Sequence, residues 1–160
     1  MKGLLVMNEL HSVVKKLQFK DQGQAVLILN APKSYEEVST TFLGEVHREA
    51  TLDTYHFVQV FGTSNEEIRT FGKQAAAVVK EDGLLWLCYP KKSSKTIKGS
   101  DCSRDTVATL LAEEGYEPVR QIAVDEDWSA LRFRKVEQIK TLTRGFAVTE
   151  KGKERTQSEN

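Results

Sequence analysis

Residues 84–95 read LLWLCYPKKSSK. The first six, Leu84 to Tyr89, are apolar or aromatic without alternation. A strand buried on both faces looks like this, and such strands belong to parallel sheets covered by helices. Pro90 ends the run, and Lys91, Lys92, Ser93 and Ser94 follow at once. Working outward, Ala25–Leu29 (AVLIL) is a second continuous apolar run, and Tyr55–Phe61 (YHFVQVF) is a further strong strand candidate. Between and after them the apolar period changes to that of helices. Residues 8–17 place Leu10, Val13, Val14 and Leu17 on one face, with Asn8 as a candidate N-cap. Ser34 and Glu37 have capping-box spacing ahead of Val38 and Phe42, as do Ser64 and Glu67 ahead of Ile68, Phe71, Ala75 and Val78. Ser103 opens a further helix carrying Val107, Leu110 and Leu111, with Gly115 as its C-terminal cap. Asp82–Gly83 reads as the turn before the third strand, and residues 45–50 as a weak strand.

The pattern then changes. Val119–Val124 and Trp128–Phe133 are strands separated only by Asp125, Glu126 and Asp127. So short a link joins only antiparallel neighbours. The expected fold is α/β and three-layered: a mostly parallel, Rossmann-like sheet closed by a C-terminal antiparallel hairpin. Residues 1–135 are expected to form one domain, and residues 136–160 an arm and partly disordered tail. Leu142, Phe146 and Val148 are the apolar residues with which 136–150 would dock on this domain or on a second copy.

With Lys+Arg and Asp+Glu both at 23, the formal net charge is zero, against the basic excess that nucleic acid and anionic membranes select. The opening apolar stretch is too short for an export signal or a membrane span. With two cysteines, the default is a reducing cytoplasm. Cys88 reads as a core residue, and Cys102, in a polar loop, as a candidate reactive thiol. Neither these nor His11, His47 and His56 have metal-ligand or triad spacing.

Parallel strands ending in an antiparallel hairpin resemble a truncated class I S-adenosylmethionine-dependent methyltransferase fold. In that fold the last strand inserts antiparallel beside the strand that LLWLCY represents here. Four motifs carry a closer resemblance, to a family of small bacterial proteins of unknown function: Asn30–Pro32 (NAP), Tyr89–Ser94 (YPKKSS), Ser103–Asp105 (SRD) and Trp128–Arg134 (WSALRFR). It covers about residues 10–135. The chain departs from it in having Lys95 where glycine is usual, and in a longer loop from Lys95 to Asp101. This resemblance implies the fold and no activity.

Methyltransferases place a glycine-rich loop after the first strand, which lets backbone approach the cofactor. Here Asn30-Ala31-Pro32-Lys33 stands there, no glycine lies between Gly23 and Gly44, and Pro32 has no N–H to donate. Glu49 and Asp53 are the candidate ribose-gripping acids.

In open α/β sheets ligands bind beyond the carboxyl ends of the strands, where strand order reverses. Methyltransferase-like order puts that point between the strands ending at Asn30 and Phe61, with Tyr89 alongside. Asn30, Lys33, Thr63, Ser64, Lys91, Lys92, Ser93 and Ser94 are therefore expected on one edge. Their lysines, hydroxyls and helix N-termini suit a small anion or nucleotide. Arg104 would clamp the same anion or merely open its helix, where Asp105 favours the helix dipole. Asp125, Glu126 and Asp127 read as a solvated turn, with metal ligation or a general base as the alternative. Trp128 and Arg132 share a face of their strand and read as structural support, Arg132 through a salt bridge or hydrogen bonds to the Lys91–Ser94 loop, with direct ligand contact as the alternative. The residues assign no cofactor and no catalytic group. Three functions stay open: an anion- or nucleotide-binding protein, a degenerate methyltransferase-like enzyme, and a non-enzymatic interaction module.

Overall fold

A computed structural model describes residues 12–139 and Thr149. The elements are α1 (described over residues 12–16), β1 (Val26–Leu29), α2 (Glu36–Ser39), β2 (Val46–His47), β3 (Tyr55–Phe61), α3 (Asn65–Val78), β4 (Val79–Pro90), α4 (Arg104–Ala108), β5 (Tyr116–Ala123) and β6 (Trp128–Lys135). The six strands form one sheet in the order β2-β1-β3-β4-β6-β5. β2, β1, β3 and β4 pair in parallel, and β6 inserts antiparallel between β4 and β5. This is the mostly parallel sheet with a closing hairpin that the alternation and the short Asp125–Asp127 link require.

Each face buries its own core. Val13 and Val14 of α1 and Leu17 just after it, with Tyr35, Val38 and Phe42, cover Ile28, Phe57, Trp86 and Ala130. Ile68 and Ala75 of α3, with Val107 and Leu111, cover Leu27, Val60, Leu87 and Phe133. The alternation along β6 is as expected, with Trp128 and Ala130 on the first face and Leu131 and Phe133 on the second. Gly62 lets α3 return close to β3, since a Cβ there would lie 2.5 Å from Ile68 Cγ1. Asn8 and Leu10 of the expected first helix lie outside the described residues, as do Leu142, Phe146 and Val148 of the arm. Thr149 is described: its backbone N–H donates to Glu117 of β5 at 2.7 Å.

Several local expectations are corrected. Ser34 makes no capping box. Lys33–Tyr35 is a 3-10 turn, and no side chain caps it or α2. Pro32 stays extended at ψ 158°, and burial of Tyr35 draws the chain in at once. Asp82 keeps the left-handed backbone expected of a turn (φ 57°), yet β4 runs through it from Val79, with a register shift against β3 between Tyr55 and Phe57. The helix that Ser103 opens, α4, stops at Ala108, so Leu110 and Leu111 pack from the turns beyond it. Gly115, at φ 85°, ends that segment as expected.

The crossover from β2 to β3 has no helix. Residues 48–54 make it as exposed bends, and Glu49 and Asp53, the candidate ribose acids, are exposed within it. Tyr55 anchors this link. Its hydroxyl accepts from Thr51 N at 3.0 Å and Leu52 N at 3.2 Å and sits 2.6 Å from His47 Nδ1, while His47 Nε2 lies 2.9 Å from Glu45. Burial alone would raise the Tyr55 phenol, but the bonds from Thr51, His47 and Leu52 outweigh it and bring it down to about 8. The hydrogen bond to Glu45 raises His47. An acid with a depressed folded-state pKa contributes stability above its unfolded value, near 10 here, and loses it as pH falls through about 8. Difference titration of tyrosinate absorbance should show one group near 8 that Tyr55→Phe removes. The gap in melting temperature between the two proteins should be wider at pH 10 than at pH 7. A gap that narrows toward pH 10 contradicts the arrangement.

Candidate functional site

Strand order reverses between β1 and β3, so the crevice of this sheet lies beyond Leu29 and Phe61. The chain leaves β1 through Asn30 at φ 60°. Asparagine is among the few residues other than glycine that adopt this conformation readily, so the turn survives without glycine. Its amide nitrogen donates to Phe61 O at 3.0 Å and to Glu67 Oε1 at 2.9 Å. The same carboxylate oxygen accepts from Thr63 N at 3.0 Å. Ser64 caps α3 by accepting from Glu67 N at 3.1 Å. Only half of the expected capping box therefore forms as such; Glu67 reaches one residue further back and across to β1. The next α3 donor, Asn65 N, is taken by Asp101 Oδ1 at 2.9 Å. Two of the chain's own carboxylates hold the N–H groups with which the start of α3 was expected to bind an anion.

Beneath this polar rim the edge is filled by aromatic rings. Tyr35 is 2 % exposed and lies 4.7 Å from Phe61, centroid to centroid, and Phe61 lies 5.1 Å from Trp128. The Tyr35 hydroxyl donates to buried Gln59 at 2.8 Å, and Gln59 Nε2 donates to Cys88 Sγ at 3.3 Å. Burial raises the Tyr35 phenol and pushes the Cys88 thiol up to about 12, so both stay protonated at neutral pH. Nucleotide cofactors at this point of a doubly wound sheet need close backbone, free N–H donors and an acid at the end of the second strand. Here Pro32 has no N–H, Tyr35 N donates to Pro32 O, Glu67 takes Thr63 N, and β2 is two residues long. The residues present do not fit S-adenosylmethionine in the manner of a class I enzyme.

One strand further along, the end of β4 is different. Pro90, Lys91, Lys92, Ser94, Ile97, Lys98, Gly99, Ser100 and Cys102 line an open cavity of about 220 Å³. No carboxylate is among these lining residues. The loop is held from below by the β5–β6 turn: Lys91 N donates to Asp127 O at 2.8 Å, and Ser94 Oγ donates to Asp127 Oδ1 at 2.7 Å. Ser94 Oγ also accepts from Ile97 N at 3.0 Å, closing the loop on itself. Asp125 Oδ1 accepts from Asp127 N at 2.8 Å and Trp128 N at 2.9 Å, which shapes the turn. Asp125 and Asp127 thus accept hydrogen bonds that shape the turn, while Asp125 and Glu126 stay exposed to solvent as expected.

Of the residues expected on one edge, Lys91, Lys92 and Ser94 line this cavity. Asn30, Thr63 and Ser64 gather with Glu67 at the crevice instead, and none of them lines the cavity. Lys33 and Ser93 are exposed. Arg104 is exposed at the start of α4, close enough to Tyr89 to oppose the rise that burial causes in its phenol. Cys102 is not an exposed thiol. It is fully buried, and burial raises its pKa. Trp128 starts β6 opposite Pro90. Arg132 pairs with Trp86, well down the strand, and donates to Gln18 Oε1 at 3.0 Å rather than to the Lys91–Ser94 loop. Lys98 and Glu67 are the contributors that motif reading missed. Glu67 was legible only as a helix cap, and Lys98 lies in the loop where the chain departs from the bacterial family. Among the described residues no group of three histidine, cysteine or acidic side chains is placed to hold a metal, and no helix is long and apolar enough to cross a membrane.

The sequence matches no known family model and no curated protein. Solved structures do match in fold. A SAM-dependent methyltransferase from Aquifex aeolicus aligns at TM-score 0.54 and 15 % identity, over 78 % of this chain and 88 % of that one. Magnesium protoporphyrin IX methyltransferase from Synechocystis, solved with bound SAM, aligns at 0.54 and 13 %, over 84 % and 82 %. The N-methyltransferase NodS from Bradyrhizobium japonicum aligns at 0.52 and 12 %, over 80 % and 94 %. The chain therefore has a methyltransferase-like Rossmann fold.

Proposed function

We propose that this chain is a binding protein built on a methyltransferase-like fold, taking a small anion or the phosphate group of a nucleotide at the end of β4. The observation that carries this reading is the cavity of about 220 Å³ bounded by Lys91, Lys92 and Lys98. Three lysines and no carboxylate residue among the cavity's lining give a positive field that an oxyanion would neutralise, with the neighbouring Asp127 engaged by Ser94. Ser100 adds a hydroxyl, and Ser94 and Asp127 fix the loop, so little ordering remains to be done on binding. Thermal unfolding in the presence of inorganic pyrophosphate, with Lys91→Ala/Lys92→Ala/Lys98→Ala as the comparison, tests it. Saturable stabilisation that is reduced in the triple variant supports the site, and equal stabilisation of both proteins removes it.

A second reading is S-adenosylmethionine-dependent transfer. Its support is the strand order shared with methyltransferases. Against it stand the ring packing of Tyr35, Phe61 and Trp128 and the donors consumed by Glu67 at the crevice. Calorimetric titration with S-adenosylmethionine separates the two.

A further inference from the structure

The motif WSALRFR puts Arg132 and Arg134 two apart on β6, so both lie on the α1 side of the sheet. Directly across the strand from Arg132, β5 places Arg120. Two like charges facing each other in a cross-strand pair destabilise a hairpin. Arg134 adds a third guanidinium on the same face. Arg134 is answered by Asp82, which accepts from its Nη2 at 2.6 Å and its Nε at 3.1 Å. Glu117, opposite Arg134 on β5, holds the backbone of Thr149. Among the described residues neither Arg120 nor Arg132 has a carboxylate within hydrogen-bond distance. The polar partner of Arg132 is the neutral Gln18, and its Nε is buried with no acceptor. Burial, then the charges of Arg134 and Arg120, hold the Arg132 guanidinium below its ordinary value, while Asp82 works the other way. Lys16 of α1, whose ammonium group lies 3.5 Å from Ala123 O, adds a further positive charge near this hairpin.

A fold that only needed to close its sheet would gain stability from a glutamine or glutamate at either arginine. We propose that Arg120 and Arg132, with Arg134 beside them, form a second oxyanion site, for a phosphate-bearing ligand that bridges the two unanswered guanidiniums. Planar forks of this kind match phosphate oxygens in pairs, and a doubly charged phosphate removes the repulsion that the free protein carries. The site is on the outer hairpin, shares no residue with the β4 cavity, and stands or falls independently of it.

The test uses the full-length chain carrying Lys91→Ala/Lys92→Ala/Lys98→Ala, so that the β4 cavity is silent, with and without Arg120→Gln. Arg120 is exposed, so its replacement spares the core. Melting temperatures are read against inorganic pyrophosphate at constant ionic strength. Without pyrophosphate, Arg120→Gln should raise the melting temperature by about 1–3 °C, as relief of a like-charge cross-strand pair requires. With pyrophosphate, the arginine-intact protein should show saturable stabilisation, and Arg120→Gln should weaken the apparent affinity at least about fivefold. Absence of a pyrophosphate response in the arginine-intact protein, or an equal response in both, overturns the site whatever the melting temperatures without ligand.

Discussion

Trp128→Ala should lower stability by about 3–5 kcal/mol, as deletion of a buried aromatic ring does. Trp128 is 4 % exposed and meets Phe61 edge-on at a centroid distance of 5.1 Å. Phe61 in turn packs on Tyr35 at 4.7 Å, so one truncation unseats the stack that fills the strand ends. The backbone of Trp128 also closes the hairpin, donating to Asp125 Oδ1 at 2.9 Å and accepting from Val124 N at 2.9 Å. For a domain of this size the melting temperature should fall by about 10 °C or more. Trp128→Phe, which keeps a ring against Phe61, should recover most of the loss. Thermal and denaturant unfolding of the three proteins checks this. A loss under about 1 kcal/mol for Trp128→Ala would mean that the ring is not a packed member of the core.

The second large effect is expected on binding. Lys91→Ala/Lys92→Ala/Lys98→Ala should weaken pyrophosphate binding at the β4 cavity by at least about tenfold, since each charge-assisted contact is worth about 1.5–3 kcal/mol. Stability without ligand should hardly change or should rise. The loop is held by Ser94, Asp127 and the Lys91 backbone, none of which depends on the lysine side chains. Ser94→Ala is the structural counterpart. It removes the bond to Asp127 and leaves Ile97 N without its acceptor, so it should cost stability as well as affinity. If the lysine triple loses stability as severely as Ser94→Ala, the lysines are structural and the site reading fails.

The sheet was legible because its strands carry their own signatures. Val26–Leu29, Phe57–Phe61 and Leu85–Tyr89 are buried along their length, as runs apolar but for Gln59 predict, and the Asp125–Asp127 link allows only the antiparallel β5–β6 pair. The elements that misled are those where tertiary packing overrides local preference. Ser34 and Glu37 have capping spacing, but Pro32 and the pull of buried Tyr35 leave only a 3-10 turn and α2 there.

The edge of the fold was legible and the grouping of residues on it was not. Topology puts Asn30, Thr63 and Lys91 at the same end of the sheet, but no local pattern shows that Glu67 reaches back to Asn30, or that Asp101 reaches Asn65. Those pairings join residues 37 and 36 positions apart, and they decide which donors remain for a ligand. Arg132 teaches the same lesson. Its oddity on a strand is plain from sequence, while its partner, Gln18, lies 114 residues away.

The most direct test of a methyltransferase-like fold with a self-filled crevice is calorimetric titration of the full-length chain with S-adenosylmethionine. With Glu67 on Thr63 N and Tyr35 packed against Phe61, no saturable heat should appear up to millimolar ligand. One-to-one saturable binding, unchanged in the lysine triple variant, would contradict the closed crevice and return the chain to the cofactor-dependent enzymes whose fold it shares.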